Sequence, residues 1–146
     1  MTADEQDPAA VHSRQQVLLK RVSREMAQIQ KLAFGKGPVS AKSYLFDDLL
    51  LIVMREGLTV AERTMLDFGR ENLVREFRQQ FENEMTNRLV SMVENATERK
   101  VLTYQSQVMF DPDVIVEIFV FDRATDGGFI AAEVHEGEHE AADEAG

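Results

Sequence analysis

Residues 59–96, TVAERTMLDFGRENLVREFRQQFENEMTNRLVSMVENA, decide the fold. Thr59 and Glu62 stand three apart ahead of an apolar run, the pattern of a capping box. In that motif the threonine oxygen accepts from the third helical N–H while the glutamate reaches back to the cap's own N–H. Gly69 would cost about 1 kcal/mol relative to alanine inside a continuous helix. The pattern therefore predicts a short helix over 58–68 and a longer one starting at Gly69 or Arg70. Leu73, Val74, Phe77, Phe81, Met85, Leu89, Met92 and Ala96 then make an apolar stripe about 160° wide at about 100° per residue. Arg78 and Arg88 project inside that stripe, and Glu84 lies at its edge. A guanidinium so placed either binds an anion or a partner's carboxylate through its planar fork, or lays its stem along the apolar edge and reaches water or an internal carboxylate.

Working outward toward the N-terminus, residues 11–34 repeat the helical spacing, with Leu18, Val22, Met26, Ile29, Leu32 and Ala33 on one face. Glu25 falls inside that face and is the natural carboxylate for Arg78 or Arg88 if the two long helices pack together. Gly35-Lys36-Gly37-Pro38 stops the first helix. It is not a phosphate loop, because that motif follows a strand and opens a helix, whereas here a helix precedes and a strand follows. Residues 39–46 and 49–55 read as strands joined at Asp47-Asp48. The second is apolar at consecutive positions, which places it centrally in a sheet.

Toward the C-terminus, 101–110 and 114–122 form a second hairpin about Asp111-Pro112-Asp113. In its last strand Val114, Val116, Ile118 and Val120 alternate with Ile115, Phe119 and Phe121, so both faces are apolar. Asp126-Gly127-Gly128 ends the pattern. The fold class is α+β, in the order helix, β-hairpin, short helix, long helix, β-hairpin: a four-stranded antiparallel sheet with helices packed on one face. The other sheet face is more apolar than a solvated surface tolerates, which predicts a homodimer or a partner surface.

At 146 residues the chain is long enough for one core and too short for two. The expected organisation is a disordered acidic N-terminus over 1–10, a single α+β domain over 11–123 and a disordered acidic tail over 124–146. The net charge of −10 resides in the ends, since the span 9–123 carries 16 residues of each sign. A neutral folded part offers no basic footprint for nucleic acid or an anionic membrane surface. The absence of cysteine excludes disulfides, thiolate catalysis and cysteine-ligated metals. His135 and His139 stand four apart, but Gly137 and the surrounding glutamates oppose the helix that would make them a metal pair, so no metal site is predicted. No apolar run approaches the roughly 18–20 residues of a membrane span, and the acidic start is unlike a signal peptide. A cytoplasmic location is expected.

Gly37-Pro38, the Asp47-Asp48 hairpin, Gly57-Leu58-Thr59 with Ala61-Glu62, Gly69-Arg70 with Val74 and Arg78, and the apolar last strand together resemble the MpsC-like family of small bacterial proteins, over roughly residues 12–123. That family was long labelled a domain of unknown function. Its name comes from a sodium-translocating, membrane-potential-generating system. The resemblance implies a cytoplasmic accessory or regulatory part, with a membrane-transport-complex protein as partner. Val60 stands where the family often has proline, which is only favoured in a first helical turn. The resemblance carries over no catalytic residue.

The expected function is a non-enzymatic interaction or regulatory domain without cofactor, with Arg78, Arg88 and Glu25 as its contact residues and Thr59 and Glu62 as a structural cap. The alternative is a small-ligand sensor or enzyme that uses Arg78 as an anion anchor, with Glu25, Glu62 or Tyr104 as acid or base.

Overall fold

The computed structural model describes residues 7–124 and 128–137. Among them, helix α1 (Pro8–Phe34) leads to the hairpin β1 (Ser40–Phe46) and β2 (Leu49–Arg55). Helices α2 (Val60–Asp67) and α3 (Glu71–Thr97) follow, then β3 (Val101–Phe110), β4 (Asp113–Phe121) and β5 (Ile130–His135). The strands make one antiparallel sheet in the order β3-β4-β2-β1-β5, with β2 at its centre.

The sheet has five strands rather than the expected four. β5 comes from the span 124–146, which the sequence reads as a tail, and it pairs with β1 from Ser40↔His135 to Leu45↔Ile130. Ile130, Ala132 and Val134 turn inward, but the alanines at 131 and 132 are too small to mark a period of two. Residues 8–10, expected in a disordered N-terminus, lie in α1, which begins at Pro8. Asp7 caps it, accepting from the Ala9 N–H at 3.2 Å, with proline in the first turn where its missing donor costs nothing. The rest of the expected acidic ends, residues 1–6, 125–127 and 138–146, lies outside the described residues.

Gly69 adopts φ 74° and its N–H bonds the Leu66 carbonyl at 2.9 Å, so the chain reverses between α2 and α3 where only glycine does so without strain. The buried stripe of α3 is turned from the expected one. Val74, Arg78, Leu89, Val93 and Ala96 face inward, whereas Leu73 and Phe77 are about half exposed, at 51% and 50%. Arg78 therefore lies at the middle of the buried face.

α1 packs on β5 and β1, α3 on β3, and the two long helices touch each other. Cross-strand register aligns Ser106, Glu117, Ile52, Ser43 and Ala132 in one row across the sheet. Above that row Ser23 of α1 hydrogen-bonds Ser43 at 2.5 Å. The flanking row runs through Tyr104, Phe119, Leu50, Leu45 and Ile130. Phe119, Phe121, Leu50 and Leu45 are buried completely, each contributing roughly 1.5–3 kcal/mol.

The opposite row set carries Tyr44, Leu51, Val53, Val116, Ile118 and Val120, all half-buried, with Phe46 and Phe129 exposed beside them. Lys42, Arg55, Gln105 and Glu133 share that face toward its periphery. No helix among the described residues is long and apolar enough to cross a membrane.

Candidate functional site

The site begins at the capping box. Thr59 Oγ1 accepts from the Glu62 N–H at 3.1 Å, and Glu62 Oε1 accepts from the Thr59 N–H at 2.9 Å and its hydroxyl at 3.0 Å. The same carboxylate takes both arms of a fork from α3: Arg78 Nε donates to Oε2 at 2.6 Å and Nη2 to Oε1 at 2.6 Å. Nη2 also donates to the Gly57 carbonyl at 3.1 Å, Nη1 reaches Gln30 at 3.4 Å, and the guanidinium lies 3.7 Å from the centre of the Phe34 ring. Cap, ion pair and cation–π contact thus tie α2, α3 and α1 at one point. Burial alone would push the Glu62 carboxyl upward, but the Arg78 and Thr59 hydrogen bonds outweigh it and hold the group below its ordinary value.

This geometry revises the expected partnership. Arg78 meets Glu62, not Glu25. Glu25 bonds Arg21 on its own helix at 3.4 Å and, with the exposed Arg88, lines an outer groove between α1 and α3. On the opposite side, Asp113 ties the cap to the sheet, its Oδ2 accepting from the Leu58 N–H at 3.2 Å and from Arg63 at 3.1 Å.

Beside the ion pair a cleft of about 390 Å³ opens between the end of α1, the middle of α3 and the β3–β4 part of the sheet. Ile29, Phe34, Phe81, Met85, Leu89, Val108 and Ile115 supply apolar walls, and Arg78, Glu82, Tyr104, Ser106 and Glu117 supply the polar end. Glu117 is 2% exposed. The Tyr104 hydroxyl donates to its Oε2, and Ser106 Oγ donates to its Oε1 at 3.0 Å. Burial pushes this carboxyl up to about 8, Glu82 pushes the same way, and the two hydroxyl donors and Arg78 only partly oppose it. Burial likewise raises Glu82. The Tyr104 phenol is raised far above its ordinary value by burial and by the Glu117 and Glu82 charges, so it stays a neutral donor.

The structure therefore gathers Arg78, Glu62 and Tyr104 from the expected residues, leaves Glu25 and Arg88 apart, and adds Glu117, Ser106 and Glu82. Glu117 sits at an inward position of β4 between Ile115 and Phe119 on the same face, and the sequence pattern did not single it out. For the histidine pair, His135 lies on β5 with its Nε2 3.7 Å from Glu133, and His139 lies outside the described residues.

Fold and cleft define a small α+β domain with an internal ion pair and a carboxyl-floored cavity. The family model described as "Na+-translocating membrane potential-generating system (MpsC)" matches residues 14–123, and the chain belongs to that family. No curated protein and no solved structure matches the chain.

Proposed function

We propose that the protein is a non-enzymatic accessory or regulatory domain, working in the cytoplasm through protein contacts on a membrane-potential-generating system. The observation that carries this is the sheet face away from the buried rows. Its apolar centre of Tyr44, Leu51, Val53, Val116, Ile118 and Val120 with a polar periphery has the anatomy of an interface. A second copy of the chain covers that face in this reading. Glu25 and Arg88, on the outer α1–α3 groove, are left to face the membrane-system partner. The link to that system is supported by the family's description.

The test is sedimentation of the purified protein together with affinity isolation of the tagged chain from gently solubilised native membranes. The wild type should sediment as a dimer and retain ion-translocating membrane subunits, whereas Ile118→Lys should sediment as a monomer. A monomeric wild type that retains no such subunit overturns the reading.

The cleft favours a second reading, a small-ligand sensor or enzyme. An anion anchored on Arg78 would have to displace Glu62 from both arms of its fork, so a ligand there is better matched to the carboxyl end.

A further inference from the structure

We propose that the cleft between α1, α3 and the sheet binds a small amine: a molecule with a compact apolar body and one protonated amino group, the ammonium lodging against Glu82 and Glu117. This site is separate from the sheet face and stands or falls independently of the interaction reading.

Charge complementarity carries the argument. Two carboxyls, Glu117 from β4 and Glu82 from α3, share the polar end of the cleft. Among the described residues neither forms an ion pair. The cations close by are committed elsewhere: Arg78 gives both arms of its fork to Glu62, and Arg75 donates to the Val108 carbonyl at 3.1 Å and lies 4.5 Å from the centre of the Phe110 ring. The groups facing Glu117 are thus Tyr104 and Ser106 from β3 and Glu82 and Arg78 from α3, with the neutral Gln30 at the α1 side. Each oxygen of Glu117 accepts one hydroxyl donor, which leaves each ionised oxygen with capacity for a further donor.

An ammonium brings three donors and the missing positive charge in one group. An alcohol would supply no charge, and a carboxylate would oppose the ionised form of either glutamate. A bare alkali ion would leave the walls of Phe34, Phe81, Met85, Leu89, Val108 and Ile115 without an apolar occupant. Phe34 and Phe81, with ring centres 4.5 Å apart, fit an aromatic or short aliphatic body. The cavity volume lies in the range of small-molecule sites.

Binding must also move a proton. Burial keeps Glu117 substantially protonated at neutral pH, and pairing with an ammonium favours its ionised form. The carboxyl O–H bond then breaks, and the proton leaves to solvent as the complex forms. Affinity should rise with pH until Glu117 is ionised in the free protein, and fall again only where the amine itself loses its proton.

The experiment uses the full chain and three probes of matched shape: phenethylamine, 2-phenylethanol and 3-phenylpropanoate, followed by calorimetry and thermal shift. Phenethylamine should bind about tenfold or more tightly than the alcohol, and the carboxylate weakest of the three. Phenethylamine affinity should rise from about pH 6 to about pH 8.5, with net proton release in buffers of different ionisation enthalpy. Glu82→Gln and Glu117→Gln should each remove most of the preference for amine over alcohol. Equal binding of amine and alcohol, affinity independent of pH, an unchanged preference in both variants, or no binding by any probe overturns the proposal. Should Glu117→Gln fail to fold, Glu82→Gln and the pH profile decide it.

Discussion

Glu62 and Glu117 are both buried carboxyls, yet their surroundings send them in opposite directions. Glu62 is held low by the Arg78 fork and Thr59. It contributes stability that is present above its unfolded value near 4.5 and lost as the pH falls through its folded value. Glu117 is held high by burial, so its contribution is present in acid and lost between about 4.5 and about 8. Unfolding free energy should therefore decline across that window, by up to about 1.4 kcal/mol per pH unit where the slope is steepest. Glu117→Gln should flatten the decline, leaving only the smaller slope of Glu82, as read from urea unfolding at a series of pH values. Removing one partner of a buried pair strands the other, so Arg78→Ala should cost about 3–5 kcal/mol. Arg78→Met with Glu62→Gln should recover part of that loss, since the glutamine carbonyl still caps Thr59. A cost under about 1 kcal/mol for Arg78→Ala would mean the pair contributes no more than a surface bridge.

At the scale of elements, the capping box shows why much of the fold could be read directly. Thr59 and Glu62 do locally what their spacing says, and Gly69 separates α2 from α3 as its conformational freedom requires. β2 and β3 match their sequence bounds because strand pattern and turn residues agree there. What stayed hidden depended on tertiary context. Arg78 looked like an intruder on the α3 stripe because the carboxylate that neutralises it lies 16 residues away on another helix. Glu117 was lost among aliphatic neighbours because its hydroxyl partners come from the adjacent strand. Helix α3 closes on Glu98, a non-glycine residue at φ 56°. Glu98→Gly should relieve that conformation and raise stability by about 0.5–1 kcal/mol in urea unfolding. A loss of stability would show that the glutamate side chain contributes more there than the strain removes.

For the whole molecule, the helices tie three places on the sheet. α1 covers β1 and β5, α3 covers β3, and the Arg78–Glu62 pair joins α3 to α2, which Asp113 in turn fastens to β4. The cleft exists because α3 meets the sheet chiefly at β3, leaving room over the polar row of Ser106 and Glu117. Filling that room should stabilise the molecule. Ala33→Leu, at the cleft wall, is expected to raise the melting temperature by a few degrees, the equivalent of about 1 kcal/mol, in differential scanning calorimetry. A lowered melting temperature would indicate that the walls cannot accommodate the added carbons.

The family match ends at residue 123, whereas β5 begins at Ile130 and lies alongside β1. The family model thus matches a shorter span of this chain than its sheet occupies. A chain stopped at residue 123 would turn β1 from an inner strand into a rim, with Ser40 through Leu45 presenting unsatisfied amides and carbonyls to any neighbour. Such a chain should gather into oligomers through strand exchange, and a synthetic peptide spanning 128–137 should disperse them by reoccupying the vacated place. β5 thus shields the β1 edge from strand exchange with another copy.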